Sequence, residues 1–377
     1  MLVSASRTPV GRFNGALKTV DPLDLGGAAV AEVMRNAGDI VPDHVILANV
    51  VQAGNGQNPA RSAALRGGVS TTVPAITLNN VCLASMFATG MAATMIRAGE
   101  LDSAVVGGFD SMSRAPHALQ IRQATAVGDG PAIDLLMKDG LWCAVSDSGM
   151  GPIADRANAD LGISRADQDE YSVESHRRAH AATEAGRLGE EIVELSGLGV
   201  DEGIRADSSY DRLEKLRPAF TAEGTVTAGN ASQMSDAGSA GLLMTASLAR
   251  SHGFEPMVEI CGSATVAGPD ASLHVKPAAA AFELLKKTGL AVEDIGLWEI
   301  NEAFAGVALA SANELGVDLD IVNVNGGAIS IGHPLGASGF RITMSLAFEM
   351  RRRGIDLGVA AMCGGGGQGQ AILLRLE

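Results

Sequence analysis

Four short motifs place cysteine, histidine, asparagine and glycine where they could perform acyl-transfer chemistry. The first is LNNVCLASMFA, in which Cys82 stands at the predicted start of a helix. Free N–H groups and the helix dipole at such a position favour a thiolate over a thiol. A thiolate is both a nucleophile and a good leaving group. A single cysteine is more often a small buried hydrophobe, so the other motifs must decide between the two interpretations.

Two further motifs are rich in glycine. His333 lies in NVNGGAISIGHPLGASGFRIT between Gly332 and Pro334, in a turn just before another predicted helix. Such a turn displays the imidazole, and the glycines indicate close approach to the backbone. Cys363 opens CGGGGQG directly after a predicted buried strand. The run lacks the lysine of a nucleotide-binding loop, so an oxyanion hole of backbone N–H groups is the better interpretation.

The fourth motif is NEAFA, where a predicted strand passes into a helix. Asn301 and Glu302 therefore lie at the end of a parallel strand, where α/β proteins collect functional side chains. An ordinary Asn N-cap is the alternative. Each motif alone is weak, but together the four predict one site. His176 and His180 lack the Glu of a zinc-protease helix, so we predict a solvated helix face for them and no metal site.

The elements that must position these residues follow from hydrophobic periodicity. Short apolar runs alternate with helical stretches, which is typical of a layered α/β protein. The pattern of helix, glycine, acidic link and strand occurs at 82–109 and again at 336–362, which suggests two related halves. The charge-rich stretch between them includes a helix that opens at Ser164 in a capping box. The predicted domains are an N-terminal half (1–111 plus 235–256), an inserted loop domain (112–234) and a C-terminal half (257–377).

Individual elements are predicted from the same patterns. The predicted strands are 45–51, 104–109, 297–300, 321–324 and 357–362, and the predicted helices are 82–98, 302–315 and 336–353. Each of these helices is followed by a glycine, namely Gly99, Gly316 and Gly354, as helix C-termini commonly are.

Composition excludes several classes of protein. The 377 residues are 46% hydrophobic, which is enough for a large core and excludes a disordered or fibrous chain. A net charge of −15 argues against nucleic acid or an anionic membrane as partner. The four cysteines form no CxxC pair, and we find neither a signal-peptide pattern nor an apolar run of about 18 residues. We expect a cytoplasmic protein with reduced thiols.

The motifs resemble those of the thiolase family, enzymes that cleave 3-ketoacyl-CoA with CoA or condense two acyl-CoA molecules. The similarity runs nearly end to end, from SRTPVGRFNGALK and QAGNGQNPAR through LNNVCLAS, LRPAFTAEGTVTAGNAS and NEAFA to GHPLGASG and CGGGGQG. The resemblance implies a thiolase-like fold of two similar five-stranded α/β halves, with a loop domain covering CoA, in a homodimer or homotetramer. CoA would be a co-substrate, with no permanently bound cofactor.

The resemblance also implies a role for each motif. Cys82 would be the acylated nucleophile, His333 its activator and Cys363 the second acid or base. One oxyanion hole would consist of His333 and a water held by Asn301, and the other of the N–H groups of Cys82 and Gly365. The implied CoA and acyl contacts are Arg205 at the nucleotide end, Ala228 and Ser232 at the pantetheine, and Leu141, Met150, Phe220, Leu273 and Phe304 along the channel.

Several positions depart from the family pattern. Leu83 follows the nucleophile where a small residue is usual, and Gly149 stands where short-chain thiolases typically have His. His274 and Lys276 replace two glycines. These departures leave open a roomier or unusual 3-ketoacyl substrate, and also a chain that binds acyl-CoA or lipid without turnover. A ketoacyl synthase is a third hypothesis, but such enzymes usually have His or Asn at the position of Cys363.

Overall fold

The computed structural model describes residues 1–122 and 130–377. Its first part, residues 1–111, consists of strands that alternate with helices. In chain order these elements are β1 (Leu2–Arg7), β2 (Gly11–Arg12), α1 (Pro22–Ala37), β3 (His44–Ala48), α2 (Pro59–Arg66), β4 (Ala75–Leu78), α3 (Ala84–Arg97) and β5 (Ser103–Ser111).

The predicted loop domain contains two small two-stranded sheets and three α-helices in its described part. Its elements are β6 (His117–Ala118), β7 (Ile133–Asp134), a π-helical turn (Leu136–Leu141), β8 (Trp142–Cys143), β9 (Ser148–Gly149), α4 (Met150–Leu161), α5 (Arg165–Glu184) and α6 (Tyr210–Leu213). The predicted capping box at the start of α5 is confirmed. The Asp167 N–H donates to Ser164 Oγ at 3.1 Å, and the Ser164 N–H donates to the Asp167 carboxylate at 3.1 Å.

The remaining elements complete the scaffold. They are β10 (Ser235–Met244), α7 (Ala246–Ser251), β11 (Glu259–Ala267), α8 (Lys276–Thr288), β12 (Leu297–Ile300), α9 (Ala305–Leu315), α10 (Leu335–Arg353), β13 (Leu357–Gly364) and β14 (Gln368–Arg375). Within residues 1–122 and 130–377, no helix combines the length and the apolar composition that crossing a membrane requires.

Two sheets of matching topology carry the site. The first has the order β1-β10-β5-β3-β4, with β2 added beside β10, and the second has the order β11-β14-β13-β12. In both sheets, the first two pairings are antiparallel and the next is parallel. Beyond β12 the second sheet continues as a single parallel bridge between Trp298 and Val322, at the place that β4 occupies in the first sheet. The described sheets therefore have six and four strands, where the resemblance implies five each.

Helices and sheets form layers around the central pair α3 and α10. These two helices pack against each other between the sheets, α1 covers the outer face of the first sheet with α2 beside it, and α8 with α9 covers the second. Phe340 of α10 is fully buried and reaches the first sheet at Gly241, where an added Cβ would lie 2.2 Å from its ring. Burying such a side chain contributes about 2–3 kcal/mol. The predicted layered α/β architecture is confirmed.

One predicted strand is wrong. Residues 321–324 are apolar and Val322 is buried, but the chain makes only the single bridge to Trp298 there. The cause is Asn323, which has left-handed backbone (φ 49°) and whose side-chain amide bonds the N–H and C=O of Ile300 at 2.8 and 2.7 Å. A side chain thus takes the place of the backbone partner that a fifth strand would offer to β12.

Candidate active site

Four of the five predicted catalytic residues line one cavity of about 60 Å³. Cys82 and His333 come from the turns before α3 and α10, and Cys363 and Gly365 come from the end of β13 and the turn after it. The cavity is closed by apolar side chains from residues 1–111, 112–234 and 257–377, which belong to the three predicted domains. Helix starts and strand ends from the two halves therefore meet at one place, as the motifs together predict.

A strained turn presents Cys82. Val81 has φ 50°, which is rare for a β-branched residue, and the Leu83 N–H closes the turn on Asn80 C=O at 3.2 Å. Such strain persists where the surrounding structure imposes it, and it is concentrated at functional sites. Helix α3 begins at Ala84, so Cys82 lies two residues before the helix, not in its first turn as predicted.

The resting form of Cys82 is a thiol. Burial raises the pKa of Cys82 to about 12, although the backbone N–H groups of Gly365 and of Cys82 itself act in the opposite direction. The predicted preference for a thiolate is therefore wrong for the resting protein, because loss of hydration outweighs the nearby N–H groups. A base must remove the proton as the sulfur attacks.

The geometry around His333 would allow it to act as such a base. Ser338 Oγ lies 2.6 Å from His333 Nδ1 and 2.8 Å from the Pro334 C=O. Because the hydroxyl has one hydrogen and the carbonyl can only accept, Ser338 donates to Pro334 and accepts from Nδ1–H. Nε2 is then the unprotonated nitrogen, and it is buried without a partner among the described residues. Burial and the charge of Arg341 lower the pKa of His333 to about 3, so the ring is neutral.

Cys363 and the glycines after it form the opposite wall. Cys363 is buried, and burial followed by the neighbouring Cys82 raises its pKa far above that of a free thiol. A Cβ on Gly364 would lie 2.6 Å from Leu83, so the unusual residue after the nucleophile fills the space that this glycine provides. Gly367 has φ 70°, and a Cβ there would lie 1.9 Å from the Asp270 C=O. The turn is therefore packed on both sides.

The two polar residues of the NEAFA motif, Asn301 and Glu302, lie in different environments. Asn301 is buried but lies outside the cavity lining, and neither of its amide atoms has a partner in the described chain. The N-cap interpretation of Asn301 is wrong, because α9 begins only at Ala305. Glu302 accepts hydrogen bonds from the Tyr171 and Ser175 hydroxyls of α5 at 2.9 and 2.8 Å. It therefore holds α5, in the predicted loop domain, against the end of β12.

The predicted CoA and acyl contacts fall into two groups. Those that line the cavity are Leu141, Met150, Ser232, Leu273 and Phe304. The others lie outside it: Arg205 and Ala228 are exposed, and Phe220 is 49% exposed. Phe220 packs edge to face on Phe304, with ring centroids 6.4 Å apart. It therefore contacts a residue of the cavity lining, although it is itself half exposed.

The departures from the family pattern leave the cavity clear. His274 is buried, with Nε2 2.7 Å from Asn158 Oδ1. The Lys276 ammonium is buried and donates to the Gly268 C=O at 2.9 Å and to Asp270 at 3.2 Å. Gly149 precedes α4 without adding a side chain. Lys276 thus holds residues 268–270 against the glycine turn, where the Gly268 N–H donates to the Gly367 C=O at 3.0 Å.

Three functional residues were missed or misread from the sequence. Ser338, which orients His333, lies one helical turn after Pro334, a spacing that could have indicated it. Asp110 is the next-to-last residue of β5 and accepts from the Gly336 N–H at 2.6 Å at the start of α10; its place near a strand end was the available signal. His176 is buried, and its Nδ1 accepts from the Arg205 N–H at 3.1 Å, so the prediction of a solvated helix face is wrong for it.

Acyl transfer through a cysteine thioester needs a nucleophile, a base and oxyanion donors around one cavity. A two-sheet α/β scaffold that assembles them defines a class of acyltransferase with a cysteine nucleophile. The family model "Thiolase, N-terminal domain" matches residues 1–247, and "Thiolase, C-terminal domain" matches residues 254–376. The chain belongs to the thiolase family.

Full-length relatives agree with this membership. A probable acetyl-CoA acetyltransferase of Mycobacterium leprae is 43% identical, over 100% of this chain and 98% of the relative. The acetyl-CoA acetyltransferases of Rhizobium meliloti and Escherichia coli are 42% and 41% identical, each over 100% of this chain and 98% of the relative. The predicted thiolase function and acyltransferase class are confirmed, and a binding protein without turnover is not favoured.

Proposed function

We propose that the chain transfers acetyl groups between CoA thioesters through an acyl-Cys82 intermediate, cleaving short 3-ketoacyl-CoA with CoA or condensing two acetyl-CoA molecules in reverse. One observation carries this proposal: Cys82, His333, Cys363 and Gly365 share a cavity of about 60 Å³. A cavity of this size favours an acetyl group over a long acyl chain. The names of the full-length relatives support the same substrate.

Cleavage would begin with proton transfer from Cys82 to His333. Nε2 accepts the proton as the sulfur attacks the C3 carbonyl, since the thiol pKa of about 12 leaves little free thiolate. The N–H groups of Cys82 and Gly365, which both face the Cys82 sulfur, would stabilise the oxyanion. The buried neutral imidazole becomes a cation only at this step.

The C2–C3 bond would then break, and its electron pair would leave as the enolate of acetyl-CoA. Cys363 then donates its proton to C2. The raised pKa of this buried thiol means that it carries a proton before the reaction begins. The protonated His333 and Asn301, whose buried amide has no partner in the described chain, would stabilise the enolate oxygen through the water that the resemblance implies.

The second half-reaction would restore the protein. The Cys363 thiolate takes the proton of an incoming CoA thiol, which attacks the acyl group on Cys82. The carbon–sulfur bond to Cys82 breaks, acyl-CoA leaves, and His333 returns its proton to Cys82. Condensation runs through the same steps in reverse, with Cys363 as the base that removes a proton from acetyl-CoA.

We assign the nucleotide end of CoA to Arg205 and the pantetheine to Ala228 and Ser232. Arg205 is exposed and Ser232 reaches the cavity, so these residues mark a path from the surface to Cys82. A guanidinium suits a phosphate because it offers several charge-assisted hydrogen bonds. Such local contacts would bind an anionic co-substrate despite the net charge of −15.

We also propose a homodimer or homotetramer in the cytoplasm. The edge strand β4 and the adjacent α3 expose Ile76 and Phe87, at 44% and 36%, and apolar side chains at a sheet edge favour burial against a second copy. Cys82 and Cys363 must remain reduced to act, which agrees with the cytoplasm. Light scattering during size-exclusion chromatography would give the number of subunits. A monomer would contradict the proposed homo-oligomer.

A chain-length profile tests the proposed function. Thiolysis of 3-ketoacyl-CoA substrates of increasing length is followed by the loss of enolate absorbance. We expect the highest kcat/KM with acetoacetyl-CoA and a fall of at least about tenfold at longer chains, because a few methylenes that do not fit are worth that much. A preference for long chains would contradict the acetyl assignment. Absence of turnover at every length would contradict catalysis itself.

A further inference from the structure

We infer that His176 is a positioning residue for CoA binding, which holds the backbone at Arg205 so that its guanidinium is presented to the nucleotide phosphates. The inference rests on the proposed function, in which Arg205 binds that end of CoA. His176 belongs to α5 of the predicted loop domain and is not among the residues that line the cavity with Cys82. It would act on affinity for CoA and leave the chemical step unchanged.

The geometry of His176 fixes its protonation state. The side chain is 2% exposed, and Nδ1 accepts the Arg205 N–H at 3.1 Å. An accepting nitrogen carries no hydrogen, so the ring is neutral with its hydrogen on Nε2. Burial, and then the charge of Arg205, lower the pKa of His176 to about 4. The hydrogen bond to Arg205 is therefore present throughout the neutral pH range.

The chain that leads to Arg205 is held at successive points. Asp201 accepts two hydrogen bonds from the Arg7 guanidinium at 2.6 and 2.9 Å, and the Gly203 C=O accepts from Gln233 Nε2 at 3.0 Å. The bond from Arg205 to His176 is the next of these anchors. Without it, the last hydrogen-bonded anchor before Arg205 would be Gly203, two residues upstream, and only the packing of Ile204 would remain between them.

Beyond this anchor, the Arg205 side chain is available to a ligand. It is exposed, and no carboxylate of the described chain lies within ion-pair distance of its guanidinium. Asp207, which lies close by in sequence, instead pairs with Arg212. A guanidinium left without an internal partner on a firmly held backbone suits capture of an anionic group, because little backbone entropy remains to be lost on binding.

The first test compares substrates with and without the nucleotide. His176→Phe is assayed with acetoacetyl-CoA and CoA, and with acetoacetyl-N-acetylcysteamine and N-acetylcysteamine, which lack the phosphates. We expect the KM for CoA to rise about tenfold, as expected for loss of one buried hydrogen bond, with kcat and the truncated reaction changed less than about twofold. His180→Phe, one turn further along α5, is the matched control and should leave both reactions unchanged.

Two further variants separate positioning from folding. His176→Asn keeps an acceptor at the place of Nδ1 and should restore the KM for CoA to near the wild-type value. Arg205→Ala should itself raise this KM, and His176→Phe should then add no further loss, because both changes remove the same contact. Additive losses, an equal loss with the truncated substrates, or failure of Asn to rescue would overturn the inference.

The outcomes also separate this inference from the proposed function. A wild-type chain that turns over no thioester contradicts the proposed function. An active chain in which Arg205→Ala has no effect on the KM for CoA contradicts the Arg205 contact and with it the role of His176, while acyl transfer on Cys82 stands.

Discussion

The turns before α3 and α10 occupy equivalent places in the two halves but carry different chemistry. Cys82 and His333 each lie two residues before their helix. The Cys82 turn is strained at Val81, and its sulfur faces backbone N–H groups. The His333 turn is held by the side chain of Ser338. In the proposed function Cys82 is a nucleophile that must be exposed to the substrate and His333 is a base that must be oriented, and the two turns differ accordingly.

The strands that follow these helices extend the comparison. Asp110 is the next-to-last residue of β5, and Cys363 is the next-to-last residue of the equivalent β13. Burial raises the pKa of Asp110 to about 7, although N–H donors, including that of Gly336, act against this rise. Asp110 thus ties the N-terminal half to the start of α10, whereas Cys363 faces the cavity. At equivalent positions, one strand thus carries a supporting carboxyl and the other carries the thiol to which we assign the acid role in the proposed function.

Of the changes that separate the two turns, replacing His333 should have the largest effect on activity. We expect His333→Ala to lower kcat for thiolysis about 10³-fold, because the thiol pKa is about 12 and the described cavity lining offers no second imidazole, amine or carboxylate to deprotonate it. The remaining activity should rise with pH as hydroxide replaces the base. The measurement is kcat from pH 6 to about 9.5. A loss smaller than about tenfold would show that His333 is not the base.

Removing the support of the base should have an intermediate effect. Ser338→Ala deletes the acceptor of Nδ1–H and should lower kcat between about 10- and 100-fold, as losses of orienting partners commonly do. Thr343→Val is the matched control, since Thr343 makes the same type of hydroxyl bond to a carbonyl of α10 without contacting His333. Equal losses in the two variants would indicate damage to the helix and not to the base.

Loosening the glycine turn should have a smaller effect. Lys276→Met removes the ammonium that holds the Gly268 C=O and Asp270 beside this turn, and we expect kcat to fall about tenfold with little change in KM. Lys287→Met, at the exposed end of α8, is the control. An unchanged kcat in Lys276→Met would remove the link between this lysine and the oxyanion donors.

The smallest effect concerns acid stability and not activity. Burial lowers the pKa of His274 to about 4, so between pH 6.5 and 4 the unfolded chain binds a proton that the folded chain does not. The free energy of unfolding therefore decreases as the pH is lowered through this range. We expect the wild type to lose about 2 kcal/mol more than His274→Asn between pH 7 and 5. Urea unfolding measures this difference, which isolates His274 from buried carboxylates of opposite slope. Parallel losses would contradict the prediction.

Local patterns predicted most of the scaffold. The helix at 336–353 differs from α10 by one residue at its start, because apolar periodicity and Gly354 define it within one stretch of sequence. The strand at 321–324 was wrong because Asn323 bonds β12 through its side chain, an arrangement that hydrophobicity does not record. The predicted helix 302–315 starts three residues before α9, because Glu302 accepts a hydrogen bond from Tyr171 of the distant α5 instead of joining the helix.

The candidate site shows the same limit. Residue types and order predicted Cys82, His333 and Cys363 on one cavity. The thiol form of Cys82 could not be predicted, since it depends on burial by both halves. The environment of His176 depends on Arg205, 29 positions further along the chain. Properties that arise from contacts between distant segments are those that the sequence alone leaves undetermined.

The division of roles between the two thiols is tested most directly by the mass of the intact protein after mixing with acetyl-CoA. We expect the wild type and Cys363→Ala to gain one acetyl group on Cys82, and Cys82→Ser to gain none. Cys363→Ala should nevertheless fail to condense or cleave carbon–carbon bonds. An acetyl group on Cys363, or equal loss of acylation in both variants, would contradict the account.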